Sequence, residues 1–228
     1  FQNYFKSLIS TIFFYSNFFF HFSSIEYGAI EGSFEPLLHT WSLSIEEQFY
    51  LFYPIFLLII LKKQKVYKYL ILIAILVSFI AAEYLSRNHS SLNFYLFITR
   101  AWEFLFGFLV YSWQKNIKYS YLAILGIFLI LFSIFFINDK VLHPSFLTII
   151  PVLGTFLVLT YISTDTILFN ILSSRLLTFV GKISYSLYLW HFPVFVYVNS
   201  MYLFKNINFI LFLISIIMIS SFSYFYIE

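Results

Sequence analysis

The 228-residue sequence contains no cysteine. That excludes a disulfide scaffold, a thiol nucleophile, iron–sulfur clusters and Cys-ligated zinc, and leaves serine, histidine and the carboxylates to carry any chemistry. Charge is also scarce: 10% of the residues are charged, against about a quarter in soluble domains. Thirteen Lys+Arg against ten Asp+Glu give a net charge of +3. This excess is too small and too dispersed for a nucleic-acid surface, and no basic run carries interleaved aromatics, so nucleic acid is not an expected partner. His21, His89 and His143 stand singly, with no HExxH-like spacing, and no metal site is expected. A P-loop and a GxGxxG motif are both missing, which leaves a nucleotide-driven pump without support.

What the sequence does have is apolar surface: 61% hydrophobic residues, 25% aromatic, and a mean hydropathy of +0.89. These values describe a membrane chain. Runs approaching the roughly 20 residues needed to cross a hydrocarbon core lie near 5–22, 45–61, 68–85, 98–114, 119–137, 145–162, 183–199 and 207–227. With only six glycines and no alternating pattern, a β-barrel fits badly, and helices are the other way to satisfy backbone groups in lipid. The predicted fold is all-α, a polytopic transmembrane helix bundle of about eight spans. If the spans alternate, Lys6, Lys62, Lys63, Lys65, Lys68, Lys115, Lys118, Arg175 and Lys182 fall on one side and Arg87, Arg100, Lys140 and Lys205 on the other. The richer side is expected to be cytoplasmic. The long loop from Ser23 to about Ser44, with Glu26, Glu31 and Glu35, then faces outward. No internal repeat or linker divides the chain, so residues 1–228 are expected to form one transmembrane domain. The sequence starts at Phe1 without a cleavable leader, so it is expected to lack its natural start.

In so apolar a chain the informative residues are the polar ones, because an ionised side chain at mid-span costs on the order of 3 kcal/mol even on a lenient scale. They fall in three clusters. The first, PLLHTWSLSIEEQFYLFYP at 36–54, holds His39, Trp41, Ser42, Ser44, Glu46 and Glu47. Ser44 and Glu47 have capping-box spacing, which would make Glu47 a helix-start residue. Glu46 shares a face with Tyr50 and Tyr53, a stripe expected to look into the bundle. Trp41 suits an interfacial belt, and His39 could be a solvated loop histidine. The second, TRAWEFLFG at 99–107, places Arg100 and Glu103 one turn apart, where they can neutralise each other. Gly107 on the same face would allow a helix or a ligand to approach. The third, GKISYSLYLWHFPVF at 181–195, repeats Ser184, Tyr188 and His191 on one helical face. Pro193 is expected to kink that helix and free carbonyls for His191 to bond.

These three stretches, in this order, resemble the acyltransferase 3 family of bacterial inner-membrane proteins, which includes the O-antigen acetylases. LLHTWSLSIEEQFYLFYP, FYLFITRAWEFLFG and GKISYSLYLWHFPV each resemble a family segment, and SFSYFYIE at 221–228 is similar to the start of its closing motif. The resemblance implies a larger core of ten spans. Its first spans, bearing a His held essential for transfer and an Arg-x-x-Arg linked to acyl-CoA, would precede Phe1. The piece alone is therefore expected to be inactive.

The implied activity is membrane-bound O-acyl transfer. An acyl group, most often acetyl, would pass from acyl-CoA across the inner membrane to a hydroxyl of a cell-surface or secreted glycan such as O-antigen. Acyl-CoA is implied as donor substrate rather than as a bound cofactor, and no residue of this chain is assigned to it. The implied partners are the lipid bilayer, the glycan acceptor and, in many members, a periplasmic hydrolase-like domain. Beside the missing His, the catalytic candidates are Glu46, His191 and His39. Substrate contacts would come from Trp41, Ser42, Glu47, Arg100, Glu103, Ser184 and Tyr188, with Arg100 and Glu103 alternatively serving as fixed scaffolding. Two rivals stand beside this reading: a polytopic transporter or flippase, which would show repeated or broken spans, and a catalytically incomplete remnant.

Overall fold

The computed structural model describes residues 2–23, 31–61, 66–113, 119–138, 141–200 and 209–228. Among them every regular element is helical: α1 (Gln2–Ile12), α2 (Ser16–Phe22), α3 (Thr40–Leu61), α4 (Tyr67–Asn88), α5 (Ser90–Tyr95), α6 (Phe97–Trp113), α7 (Tyr121–Phe136), α8 (Ile149–Tyr161), α9 (Ile167–Leu172), α10 (Arg175–Lys182), α11 (Ser184–Ser200) and α12 (Phe209–Tyr226). Short 3-10 turns stand at Glu31–Phe34 and Phe146–Thr148. Lys62, Lys63, Lys65, Lys115, Lys118, Lys140, Lys205 and Glu26, on which part of the expected topology rests, lie outside the described residues.

Two described helices, α4 with 22 residues and α12 with 18, are long and apolar enough to cross a membrane. The runs at 45–61, 98–114, 119–137, 145–162 and 183–199 coincide with α3, α6, α7, α8 and α11, although α7 and α8 have only 16 and 13 residues. The first run departs from expectation. It breaks at Phe13–Tyr15 into two short helices, and Phe14 adopts φ +54°, a left-handed conformation unusual for a bulky side chain. Lys6 and Ser23, near opposite ends of the run, line one cavity of about 550 Å³ with Glu35. Residues 5–22 thus double back rather than forming one spanning helix. Hydroxyls explain the reversal: Thr11 lies 2.9 Å from Thr40, and Ser16 lies 2.7 Å from Ser44, oxygen to oxygen. These contacts hold both halves of the hairpin against the first turns of α3.

The chain divides into two compact units, Phe1–Ile45 with Leu172–Glu228, and Glu46–Ile171. In the first, Val198 of α11 packs with Phe212 and Ile216 of α12, and Ser186 donates a hydrogen bond to the Glu228 carboxylate. In the second, α4 buries Ile71, Ile75, Ser78, Ala82 and Ser86, one stripe at helical spacing. Trp102 of α6 is fully buried beside this stripe, edge-on to Phe79 at 5.0 Å. Ser78 fixes the crossing: its hydroxyl donates to the Ile98 carbonyl and accepts the Trp102 N–H (3.0 Å), bridging one rung of α6.

Gly126 of α7 and Gly154 of α8 bring two backbones together. A Cβ on Gly126 would stand 2.6 Å from the Gly154 carbonyl oxygen, and one on Gly154 would stand 2.8 Å from that of Gly126. Small residues permit such close crossings in membranes. Replacing Gly126 with Ala is expected to cost about 1–3 kcal/mol by overpacking and to lower the thermal unfolding midpoint of the detergent-solubilised protein. Gly107→Ala, whose added carbon meets nothing within 4 Å, should leave the midpoint unchanged or raise it slightly, since Ala favours a helix interior over Gly.

Candidate active site

Two of the three polar segments meet in the first unit. A turn over residues 36–39 leads into α3 and buries Leu38 and His39. The His39 ring lies 5.3 Å from His191, 5.2 Å from Tyr188 and 5.4 Å from Phe192, centroid to centroid, all three on α11. The Tyr188 phenol donates to the His39 carbonyl (2.5 Å). Its one proton is thereby used, so the neighbouring Ser42 hydroxyl, 2.8 Å away, is the donor to the phenol oxygen. This chain of hydrogen bonds ties the start of α3 to α11.

The two imidazoles are held differently. His191 Nδ1 lies 2.7 Å from the Tyr188 carbonyl and 3.2 Å from that of Leu187. A carbonyl only accepts, so Nδ1 carries the proton, and in the neutral ring Nε2 keeps its lone pair. His39 is buried and neither of its ring nitrogens meets hydrogen-bond geometry. The carbonyls of Pro36 and Leu189 lie close enough to favour its charged form slightly, but burial, and then the neighbouring His191, push its pKa down to about 4. Pro193 acts at a different place than expected. Pro193 has no N–H to give the Leu189 carbonyl four residues back. That carbonyl faces His39, while His191 bonds those of Leu187 and Tyr188.

Several readings from the sequence are corrected. The Ser44–Glu47 pair is no capping box, because α3 starts at Thr40 and Ser44 spends its hydroxyl on Ser16. The Glu46–Tyr50–Tyr53 stripe does not look inward as a whole: Tyr50 is 59% exposed, and Phe49 takes the inner position, stacked on Tyr53 and Phe104. Glu46 and Glu47 are half-buried. Trp41 is 8% exposed, a core position rather than an interfacial belt. His39 is a packed histidine, not a solvated one. Ser184 is exposed at the first turn of α11, and Ser186 occupies the inner position instead.

The second unit holds the remaining candidates. Arg100 donates from Nε to the Phe94 carbonyl (3.1 Å), lies over the Phe94 ring at 5.1 Å, and pairs with Glu103 at 3.6 Å. His143 joins this group unforeseen: burial, and then the Arg100 charge, lower its pKa. Nothing in the sequence spacing signals that approach. The hydroxyls of Ser16 and Ser78, which tie α2 to α3 and α4 to α6, lie outside the three polar clusters, and their only sequence signal is their presence within apolar runs. Among the described residues no group of His, Asp and Glu is arranged to hold a metal.

Burial of His39 carries a stability consequence. The unfolded chain takes up a proton near pH 6.5 and the folded chain only near 4, so acid favours unfolding across that window and nothing changes above it. The loss is on the order of 3 kcal/mol when complete. Thermal midpoints measured from pH 8 to 4 should fall more steeply in the wild type than in a His39→Gln variant. Parallel profiles would remove His39 as the source.

A family model described as an acyltransferase domain matches residues 3–227. The chain is 32% identical over 233 residues to O-acetyltransferase OatA of Staphylococcus aureus strain NCTC 8325, covering 93% of this chain and 38% of that protein. A second S. aureus protein, from strain COL, is 34% identical over 217 residues, 86% of this chain and 35% of its own length. The chain thus spans well under half the length of these curated relatives. No solved structure matches. The family match runs through all three polar segments, including the two that carry the His39–His191 contact, and the chain belongs to the acyltransferase 3 family.

Proposed function

We propose that this chain is the membrane part of an O-acyltransferase that passes an acyl group, acetyl in the first instance, from acyl-CoA across the bacterial inner membrane to a hydroxyl of a cell-surface or secreted glycan, O-antigen being one such acceptor. The observation that carries the reading is the His39–Ser42–Tyr188–His191 cluster, built from two family segments 146 residues apart in sequence between Ser42 and Tyr188. Family membership and the O-acetyltransferase name of a relative support the reaction class. Two described helices long and apolar enough to cross a membrane, with shorter apolar helices beside them, support a membrane setting.

Acyl transfer to an alcohol needs a base for the hydroxyl proton and donors for the oxyanion that forms at the thioester carbonyl. His191 suits the first task. Its Nδ1–H is anchored on backbone carbonyls, which orients Nε2 and stabilises the imidazolium formed when Nε2 takes the proton. The sugar oxygen then bonds to the acyl carbon, the carbon–sulfur bond breaks, and the proton leaves on the coenzyme A thiol. His39, neutral at physiological pH, places a second imidazole beside the first, and Ser42 and Tyr188 fix the distance between them. Glu46 serves to orient a base or to hold the acceptor, with Glu47 as a further acceptor contact, both half-buried. Arg100 and Glu103 form polar scaffolding. The full protein's partners would be the bilayer, acyl-CoA, the glycan and a periplasmic domain.

In the intact parent protein, Glu46→Gln and His191→Ala should each lower glycan acylation by about 10²–10⁴-fold, the usual contribution of a general acid or base, without loss of membrane insertion. Acetyl release from the purified glycan and membrane fractionation read the two properties separately. Full activity in both variants would overturn the assignment.

A further inference from the structure

The cavity of about 550 Å³ between α1, α2 and Glu35 in the first unit has a size typical of small-molecule sites. Its two charged groups have opposite sign: Lys6 stands on α1, and Glu35 just after the 3-10 turn at Glu31–Phe34. They do not neutralise each other, since among the described residues ion pairs form at Arg87–Glu83 and Arg100–Glu103 alone. Both are open to a ligand. Lys6 is exposed and Glu35 partly so, and neither carboxylate oxygen of Glu35 is among the buried, unpartnered atoms of the described residues. Asn3 and Ser23 add neutral hydrogen-bonding groups. Ser23 donates to the Phe20 carbonyl (3.1 Å), so its oxygen is left to accept. Aromatic rings form the rest of the wall and run out onto an apolar surface, where Phe22 is 79% exposed.

We propose that this cavity binds the head of a bilayer lipid that carries both a phosphate diester and a primary ammonium. The phosphate rests on Lys6, the ammonium on Glu35 and Ser23, and the hydrocarbon chains run along Phe18 and Phe22. The charges favour a zwitterion. A singly charged head pairs with one of the two residues and meets a like charge on the other, whereas a head with both signs pairs with each and brings no net charge into an apolar surround. A primary ammonium, unlike a quaternary one, donates charge-assisted hydrogen bonds to the carboxylate, and the aromatic walls accept it on their ring faces. The rim favours a lipid over a soluble zwitterion. The exposed rings of Phe18 and Phe22 stay uncovered beside a small soluble molecule, while acyl chains cover them. No residue of the His39–His191 cluster lines this cavity, and the proposal does not rest on the acyl-transfer reading.

The test uses the whole chain in phosphatidylcholine nanodiscs with a photoreactive phosphatidylethanolamine, its diazirine in the acyl chain next to the glycerol, and maps the labelled peptides by mass spectrometry. Label should concentrate on residues 13–23. Unlabelled phosphatidylethanolamine should compete at about tenfold lower mole fraction than phosphatidylglycerol of the same chains, the increment expected of one charge-assisted hydrogen bond. Glu35→Gln should bring the two competitors level, and Lys6→Gln should lower labelling of this segment about tenfold. Equal competition in the wild type, label spread without preference for residues 13–23, or wild-type behaviour in both variants would overturn the proposal. So would competition by soluble O-phosphoethanolamine as strong as that of the whole lipid, which would make the head alone the ligand. The wild-type comparisons need no variant, so a poorly folded variant leaves the test intact.

Discussion

Hydrogen bonds from side-chain hydroxyls, made where no water is available to replace them, are the interaction on which this structure depends. With 10% charged residues and helices that satisfy their own backbones, apolar contact alone would let α1 to α12 slide and rotate against one another. Lipid offers little hydrophobic incentive to prefer one arrangement over another. The hydroxyls supply the preference. Ser78 bridges Ile98 and Trp102 and so sets α4 on α6. Ser16 and Ser44 set the α1–α2 hairpin on α3, and Tyr188 with Ser42 sets α11 on the same helix. Each requires a particular partner at a particular rung, which greasy contact does not.

The same constraint shapes the candidate chemistry. Two imidazoles packed at 5.3 Å would repel if both were charged, and burial already disfavours charge on His39. His191 is held through Nδ1 on backbone carbonyls, which leaves its Nε2 with the lone pair. His143 shows a related arrangement in the second unit, where burial, and then the Arg100 charge, lower its pKa. In both places the protein keeps an uncharged histidine next to a group that penalises its protonation, a state suited to accepting a proton only transiently.

Much of this was legible in the residues. The apolar runs coincide with α3, α4, α6, α7, α8, α11 and α12, of which α4 and α12 are long and apolar enough to cross a membrane. The polar clusters stand out against that background, and His39, Ser42, Tyr188 and His191 all belong to them. Facing was less legible. Periodicity gave Glu46, Tyr50 and Tyr53 a common face, yet Phe49 took the inner position, stacked on Tyr53 and Phe104, while Tyr50 turned outward. The break at Phe14 was hidden for a related reason: a run of aromatics reads as one span whether or not the backbone reverses within it.

Sequence by itself determined that the chain is a helical membrane protein of the acyltransferase 3 family, because composition, run length and motif order are properties of the chain read end to end. Only the tertiary structure decided which polar groups meet. It placed Tyr188 on the His39 carbonyl, turned the Leu189 carbonyl, which Pro193 cannot serve, toward His39 rather than His191, brought His143 to Arg100, and left Oε1 of Glu103 buried without a hydrogen-bond partner. Those outcomes depend on how helices far apart in sequence rotate into register. The rotation is set by a few hydroxyl and carbonyl contacts whose partners no periodicity within a single helix can reveal.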